Sequence, residues 1–435
     1  MTDRRAVAQL RRLMRWLEAF KECFGHRAQH VALRRYVQGL LSDSARKSME
    51  AMLARVTEPG SYQAFQHFIT DAPWRADQVW RRLRAVLPER AGLVIIDGTS
   101  FPKQDAYSVG VGRQYCGALG KVANCQVAVT AALRTGLRGY LVGAALYLPE
   151  AWLTDTARER ARIPASIRFQ EKWRQALTLL RQVRTSGLTV TGVLADSEFG
   201  DNGLFRAQLH RLGLPYAVGV SSTQTVFTGR PRLVSPPRTR VGRPRTRPAL
   251  PGGTQASTVA AVAAARPRWR RISWRNRGAT RQWSVECTAL RVTPAHDWRT
   301  HRRLAPEVWL LAERDTGDTP QTKYAFVHLP ATASWTRLVR FMHQRWAIEQ
   351  QYRELKTDLG LDHFEGRTFP GWHHHVVLTA IAYNFLQAER RRQLVGLTFP
   401  QARALVQEIF TALLFAQKPH YLKRIEALRS VKLQI

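Results

Sequence analysis

The residues best suited to chemistry in this sequence are three acidic side chains that lie far apart along the chain. Asp97 directly follows the apolar run 93–96, and Asp196 directly follows the apolar run 193–195. Glu349 lies in a stretch whose residue types predict a helix. Clusters of carboxylates hold divalent cations for phosphoryl transfer. We therefore expect the fold to bring two strand ends and one helix together as a cation site.

Each aspartate also has a simpler interpretation, as the first residue of a helix or as one half of an ion pair. A bare charge at the end of a buried strand is costly, so Asp97 and Asp196 need a partner or a cation in either case. Gly98 follows Asp97 and permits a sharp exit from the strand. Two such aspartates, together with a third acid on a later helix, favour the metal site.

The helix that carries Glu349 has basic neighbours at helical spacing. Arg345, Glu349 and Lys356 are separated by four and seven residues, which places all three on one helical face. Glu349 would then point toward the aspartates, with the two basic residues beside it to meet phosphates. The alternative is a set of surface ion pairs on an Arg-rich helix. Three other acids are alternatives for the third ligand: Glu198, Glu354 and Asp358.

The charge balance indicates the class of partner. Lys and Arg total 67 against 32 Asp and Glu, which gives a formal net charge of +35. A balance this basic favours a nucleic acid or an anionic membrane surface. Arg outnumbers Lys, and its planar guanidinium suits phosphate and base edges. With 45% hydrophobic and 9% aromatic residues, the chain is globular rather than disordered.

A membrane protein and a secreted protein are both disfavoured. No apolar run reaches the roughly 18 to 20 residues that a spanning helix needs, and no apolar segment typical of a signal peptide follows the first residues. The cysteines show neither a CxxC pair nor a His partner at zinc spacing; they are Cys23, Cys116, Cys125 and Cys287. We expect reduced, mostly buried thiols in a cytoplasmic protein.

The apolar pattern changes along the chain and predicts an α/β protein. Helical periodicity dominates the first segment, with Ser61 and Asp71 as helix starts. Short apolar runs then predict three strands, a helix, a fourth strand, a short helix and a fifth strand. Further along the chain, the pattern predicts a long helix from near Ser334 to Leu359. The predicted segments are a helical DNA-binding domain (1–88), the first part of a core (89–221), a basic, β-rich insertion (222–335), the last core helices with Glu349 (336–392) and a helical C-terminal region (393–435).

Further basic residues are candidates for contact with nucleic acid. Three of them follow the first predicted strand and would line a channel beside it: Lys103, Arg113 and Lys121. Two Gly-Arg-Pro-Arg stretches in the insertion are similar to the core of minor-groove AT-hooks. Their arginines, which also suit general phosphate contact, are Arg230, Arg232, Arg243 and Arg245.

Several stretches, taken together and in order, resemble DDE transposases of bacterial insertion sequences, in the group with a Tyr-x2-Arg-x3-Glu-x6-Lys signature. The stretches are 96–103, 108–117, 124–129, 194–200 and 345–349. The predicted element order is that of an RNase H-like fold, a mixed-sheet catalytic core that carries a β-rich insertion. The resemblance implies that Asp97, Asp196 and Glu349 are the catalytic triad. Arg345 and Lys356 match the signature's Arg and Lys, which contact DNA near the cleaved end.

The resemblance also implies a mechanism and partners. Two Mg2+ ions, replaceable by Mn2+, would serve the three acids in cleavage at the transposon end and in joining of the 3'-OH to target DNA. The partners would be terminal inverted repeats, target DNA and a second copy of the chain in the synaptic complex. The location would be the bacterial cytoplasm, at the nucleoid, and no membrane is implied.

One position departs from the signature. Met342 stands where the signature has Tyr, and Met cannot donate a phenolic hydrogen bond to a phosphate. This places the hairpin route of second-strand cleavage in doubt, while the three acids are intact. Two alternatives to an active transposase are a non-transposing nuclease of the same fold and a non-catalytic DNA-binding protein derived from a transposase.

Overall fold

The computed structural model combines a large mixed sheet with many helices, as the sequence predicts. It describes residues 2–56, 60–234, 249–275, 282–296, 303–314, 321–392 and 398–417. The first helices all precede the sheet; they are α1 (Thr2–Glu18), α2 (Arg27–Leu41), α3 (Met49–Ala54), α4 (Tyr62–Thr70) and α5 (Ala76–Val86).

The N-terminal helices begin and pack as their sequence pattern indicates, with one exception. The Ser61 hydroxyl accepts a hydrogen bond from the Ala64 backbone N–H and caps α4, so this predicted start is confirmed. The prediction that Asp71 starts a helix is wrong, because Asp71 ends α4. The following residues bury Trp74, whose indole N–H donates to the Phe68 carbonyl at 2.8 Å, and α5 begins only beyond them.

The sheet contains twelve strands within the described residues. The strands before the insertion are β1 (Ala91–Pro102), β2 (Gly112–Cys116), β3 (Lys121–Thr135), β4 (Arg138–Leu146), β5 (Thr189–Ala195) and β6 (Tyr216–Val220). The helices between them are α6 (Asp155–Ala161), α7 (Lys172–Thr185), α8 (Ser197–Gly200) and α9 (Gly203–Arg211). β1 lies between β3, which is antiparallel to it, and β5, which is parallel to it.

The strands of the predicted insertion extend the same sheet. They are β7 (Thr225–Thr228), β8 (Ser257–Thr258), β9 (Arg270–Arg275), β10 (Gln282–Pro294), β11 (Val308–Arg314) and β12 (Thr322–His328), with helix α10 (Val259–Ala264) after β8. β12 pairs antiparallel with β6, and β11, β10, β7 and β8 follow outward. β4 pairs with β3, and β9 pairs with β10.

The last helices follow β12 in the chain. They are α11 (Trp335–His343), α12 (Ala347–Arg353), α13 (Phe369–Arg392) and α14 (Phe399–Gln417). The long helix predicted from Ser334 to Leu359 is interrupted, because Gln344–Trp346 forms a 3-10 turn and Glu354–Asp358 forms a π turn. Asn384 of α13 bonds both the N–H and the carbonyl of Leu141 in β4, which ties α13 to that strand.

Alternation along β1 assigns the two faces of the sheet. Val94 and Ile96 pack in the core that includes Leu179 and Leu180 of α7. Leu93 and Ile95 pack in a second core, together with residues of α11 and α12. Side chains two residues apart in a strand share a face. Residue 97 therefore faces α11 and α12.

The thiols agree with the expectation of free, mostly buried cysteines. All four cysteines are free; Cys116, Cys125 and Cys287 are buried, and Cys23 is half-buried. Within the described part of the chain, no helix is long and apolar enough to cross a membrane.

Candidate active site

The register of two parallel strands aligns the two aspartates. The ladder between β1 and β5 ends with Ile95 paired to Leu194. Asp97 and Asp196 each lie two residues further along the chain, so they occupy equivalent positions just beyond the end of this ladder. Both then share the face that is covered by α11 and α12.

Asp97 does not lie at a strand end, contrary to the sequence expectation. β1 continues to Pro102, because its antiparallel partner β3 pairs with it as far as Cys125. What ends beside Asp97 is the parallel pairing with β5. Thr130 of β3 lies directly opposite Asp97.

The environment of Asp97 opposes its negative charge. Only 11% of its side chain is exposed. Burial, and then the charge of Asp196, raise the pKa of Asp97 to about 7, although the Arg345 guanidinium opposes this rise. Burial, and then the charge of Glu198, raise the pKa of Asp196 in the same way. Two carboxylates whose charged forms are disfavoured by burial and by nearby acids are suited to binding a cation.

Asp196 is also the N-cap of α8, so the simpler interpretation of this residue holds as well. Its carboxylate accepts the backbone N–H of Glu198 at 3.0 Å. The short helix α8 rests directly on β6, where a Cβ on Gly200 would lie 1.8 Å from the Gly219 carbonyl oxygen. The glycine at 200 is therefore required for the close approach that fixes Asp196 beside the sheet.

Glu349 lies near the aspartates but is turned outward. Its side chain is 62% exposed, and its carboxylate is 3.5 Å from Arg345. The same guanidinium is 3.8 Å from the Asp97 carboxylate, so one arginine lies between the two acids. Glu349, Arg345 and Met342 line a cavity of about 250 Å3 against β11 and β12. Among the described residues, no group of three or more His, Cys, Asp and Glu is arranged to hold a metal ion.

Comparison with known families identifies the relationship. The family described as DDE superfamily endonuclease matches residues 19–281, which is more than half of the chain. The chain belongs to the DDE superfamily endonuclease family. The matched span of this DDE-family chain contains Asp97 and Asp196 and ends before Glu349.

Two further comparisons are with transposases. A probable transposase for insertion sequence element IS701 from Microchaete diplosiphon is 32% identical over 194 residues, which are 43% of this chain and 48% of the relative. The chain thus spans about half the length of this curated relative. The cryo-EM structure of a piggyBac transposase synaptic complex with hairpin DNA aligns over 94% of this chain and 74% of that one, at 8% identity and a TM-score of 0.41.

The alternative third acids of the DDE-family chain have other partners. Glu354 is buried and accepts a hydrogen bond from Tyr383 of α13 at 3.0 Å. Asp358 pairs with Arg403 of α14 at 3.0 Å. The charge of Glu198 in α8 contributes to the raised pKa of both aspartates. It pairs with Lys172 of α7.

Some of the basic candidate residues donate hydrogen bonds to backbone carbonyls, and others are exposed to solvent. Lys356 donates to the Ser100 carbonyl of β1 at 2.8 Å, and Lys103 donates to the Phe364 carbonyl at 2.5 Å. Burial lowers the pKa of both ammonium groups. The exposed ones are Arg113, Lys121, Arg230 and Arg232. Arg243 and Arg245 lie outside the described residues.

Two contacts at this site were not foreseen from the sequence. The hydroxyl of the half-buried Tyr352 in α12 is 2.6 Å from the Thr130 hydroxyl, and Thr130 pairs with Asp97 on the neighbouring strand. This bond links the helix of Glu349 to the strand beside Asp97. The sequence feature that could have predicted the Tyr352 contact is its helical spacing, because Tyr352 lies three residues after Glu349. No local sequence pattern predicts the ion pair between Lys172 and Glu198.

The donor set fits a hard divalent cation. Such ions prefer carboxylate oxygens, and Asp97 and Asp196 supply these side by side. Glu349 can complete a set of three carboxylate ligands only if its carboxylate leaves Arg345 and binds the cation instead. The residues present therefore fit the divalent metals that enzymes of this family generally use.

Proposed function

We propose that the chain is the DNA transposase of an insertion sequence, which cuts DNA at the transposon ends and joins the 3'-OH ends to target DNA. The observation that carries this proposal is the alignment of Asp97 and Asp196 on neighbouring parallel strands. The family match and the partial similarity to an insertion-sequence transposase support it.

The proposed core is RNase H-like. The support is the strand order β4-β3-β1-β5-β6, antiparallel on one side of β1 and parallel on the other. We retain the proposed division into a DNA-binding segment (1–88), core segments (89–221 and 336–392), an insertion (222–335) and a C-terminal region (393–435).

Each residue of the site has a proposed role. Asp97, Asp196 and Glu349 would hold two Mg2+ ions, which would stabilise the entering and leaving oxygens of an in-line phosphoryl transfer. Arg345 holds Asp97 and Glu349 together in the absence of a ligand, and turns to a DNA phosphate when the acids bind metal. Tyr352 fixes the helix of Glu349 against the sheet.

The DNA contacts are proposed from charge and exposure. Arg113 and Lys121 project from the β2–β3 hairpin, and Arg230 and Arg232 follow β7. Their positive charges would neutralise the DNA backbone. Lys356 and Lys103 would hold the end of β1 beyond Asp97 in place unless DNA draws them away. Because two ends must be paired, we propose a homodimer in the synaptic complex, acting at the bacterial nucleoid.

The test is cleavage of a labelled duplex that carries the element's terminal inverted repeat, with Mg2+ and a target plasmid. Glu349→Gln should reduce the rate of cleavage by roughly 100-fold or more and should leave DNA binding unchanged. The loss of a residue that only supports a metal ligand would have a smaller effect. Glu354→Gln is the matched control, because its amide oxygen still accepts from Tyr383, and it should cut normally.

The other possible outcomes distinguish the alternative functions. Equal cutting by Glu349→Gln would remove Glu349 from the triad. Cutting by the wild type without joining to the plasmid would indicate a nuclease that does not transpose. Binding by the wild type without cutting would indicate a DNA-binding protein without catalysis.

A further inference from the structure

The hairpin of β2 and β3 has one buried face and one exposed face. Cys116 packs on the buried face with Cys125, in a small core cluster. On the other face Tyr115 lies directly opposite Val122, and these side chains are 65% and 56% exposed. Leu119, in the turn between the strands, is 49% exposed. We call Tyr115, Leu119 and Val122 the apolar patch of the hairpin.

The turn of the hairpin is anchored to the strand that carries Asp97. The Ser100 hydroxyl accepts the backbone N–H of Ala118 at 3.1 Å, and the Cys116 thiol lies 3.4 Å from the same oxygen. The Ser100 carbonyl accepts the Lys356 ammonium at 2.8 Å. Ser100 lies three residues after Asp97 in β1, which is about 10 Å along an extended strand. The apolar patch is therefore held close to the proposed cleavage site.

The charges of the hairpin favour an anionic partner. The stretch 112–124 contains two cations, Arg113 and Lys121, and no acid, and both side chains are exposed. Arg113 precedes Tyr115 by two residues in β2, so the two share a face of the hairpin. A second copy of the chain, docked face to face, would bring like charges together. A DNA duplex offers phosphates to the cations and the flat faces of bases to the patch.

We propose that the apolar patch contacts bases of the transposon-end duplex, where Tyr115 stacks on a base that is opened from its neighbours. The inference rests on the proposed function, because it concerns the DNA that this site would cut. The anchor of the hairpin, about 10 Å from Asp97, corresponds to roughly three base pairs from the cleaved phosphate. Leu119 and Val122 exclude water beside the stacked ring.

The proposed contact would open the duplex near the cut and would not select its sequence. Apolar side chains that enter a base step unstack it, and stacking is tolerant of sequence because every base has a π face. Arg113 and Lys121 would hold the adjoining phosphates while the step is open.

The test measures the affinity of the full chain for a fluorescein-labelled duplex that carries the terminal inverted repeat. Fluorescence anisotropy is recorded at several salt concentrations, without a divalent metal, so that no cleavage occurs. Tyr115→Ala should raise the Kd by roughly 5- to 100-fold, the scale of one lost base stack. The slope of log Kd against log salt should stay unchanged, because no phosphate contact is lost.

Two further variants of the hairpin separate stacking from charge. Tyr115→Phe keeps the aromatic ring and should bind as the wild type does. Arg113→Gln should instead reduce the steepness of the salt dependence by about one, the value for a single phosphate contact. Circular dichroism would verify that each variant is folded.

The matched control compares two exposed leucines in turns. Leu119→Ala should raise the Kd by roughly three- to thirtyfold, because its side chain is buried against the DNA. Leu137 is 54% exposed and lies in the turn between β3 and β4, at the other end of β3. Leu137→Ala should therefore leave the Kd unaltered.

The position of the contact is tested by ultraviolet cross-linking. 5-Iododeoxyuridine replaces one nucleotide at a time within about six base pairs of the cut, twice the distance expected from the anchor. Mass spectrometry should find the peptide that contains Tyr115 cross-linked at a position roughly three base pairs from the cut. Tyr115→Ala should lose this cross-link.

The contrary results are distinct. An unchanged Kd in Tyr115→Ala, with binding by the wild type, would refute the base contact and leave the proposed function standing. Absence of binding by the wild type would overturn the proposed function itself. If Tyr115→Ala instead lowers the sedimentation coefficient of the chain without DNA, the patch is occupied by a second copy and the proposal is wrong.

Discussion

Acid should destabilise this protein through His375, a buried histidine of α13. Its Nε2–H donates to the Gly360 carbonyl at 3.0 Å, and its Nδ1 accepts from the Tyr36 hydroxyl at 2.8 Å. This neutral ring links α13 to α2 and to the loop after the π turn. Burial lowers the pKa of His375 from its ordinary value of 6.5 to about 4.

The direction of the effect follows from proton linkage. The unfolded chain takes up a proton on this ring near pH 6.5, but the folded protein does so only near pH 4. As pH falls through this window, protonation favours the unfolded state and the free energy of unfolding decreases. The loss amounts to roughly 2 kcal/mol between pH 7 and pH 5, and to about 3 kcal/mol when complete.

The variant that tests this prediction is His375→Gln, because a glutamine side chain takes up no proton in this pH range. The assay is urea denaturation at pH 7 and pH 5, followed by circular dichroism. Between these conditions the variant should lose roughly 2 kcal/mol less stability than the wild type, whatever its stability at pH 7. His67→Gln is the control, because the His67 side chain is 65% exposed. Equal losses in the wild type and His375→Gln would refute the reasoning.

Two further predictions concern the support of the site. Gly200→Ala should destabilise the fold by roughly 1–3 kcal/mol and slow DNA cleavage, since its Cβ would collide with the Gly219 carbonyl. Urea denaturation tests this against Gly252→Ala, where a Cβ meets nothing within 4 Å, and equal stability of the two variants would contradict it. Tyr352→Phe should cost about 1 kcal/mol, and a double-mutant cycle with Thr130→Val should show that the two losses are not additive. Additive losses would mean that their hydroxyl contact contributes nothing.

Local patterns in the sequence were sufficient for some features. The helical start of the chain, the buried strands before Asp97 and Asp196, and the helix of Glu349 follow from the period of apolar residues, which depends only on near neighbours. The net charge of +35 likewise favoured nucleic acid as a partner without any structure. The prediction at Asp71 failed because the burial of Trp74, a tertiary contact, delays the next helix.

Other features depend on residues that are far apart in the chain. The course of β1 beyond Asp97 depends on its pairing with β3, and the alignment of Asp97 with Asp196 depends on the register of two strands about a hundred residues apart in sequence. Neither pairing leaves a periodic signal in the sequence.

The sequence by itself determined which acids and bases the protein has and which elements carry them. The tertiary structure alone decided their relations: Arg345 lies between Asp97 and Glu349, and Lys172 is paired with Glu198. The reason is physical. Secondary structure responds to neighbours within a few residues, whereas the energy of a charge depends on burial and on charges that only folding brings near it.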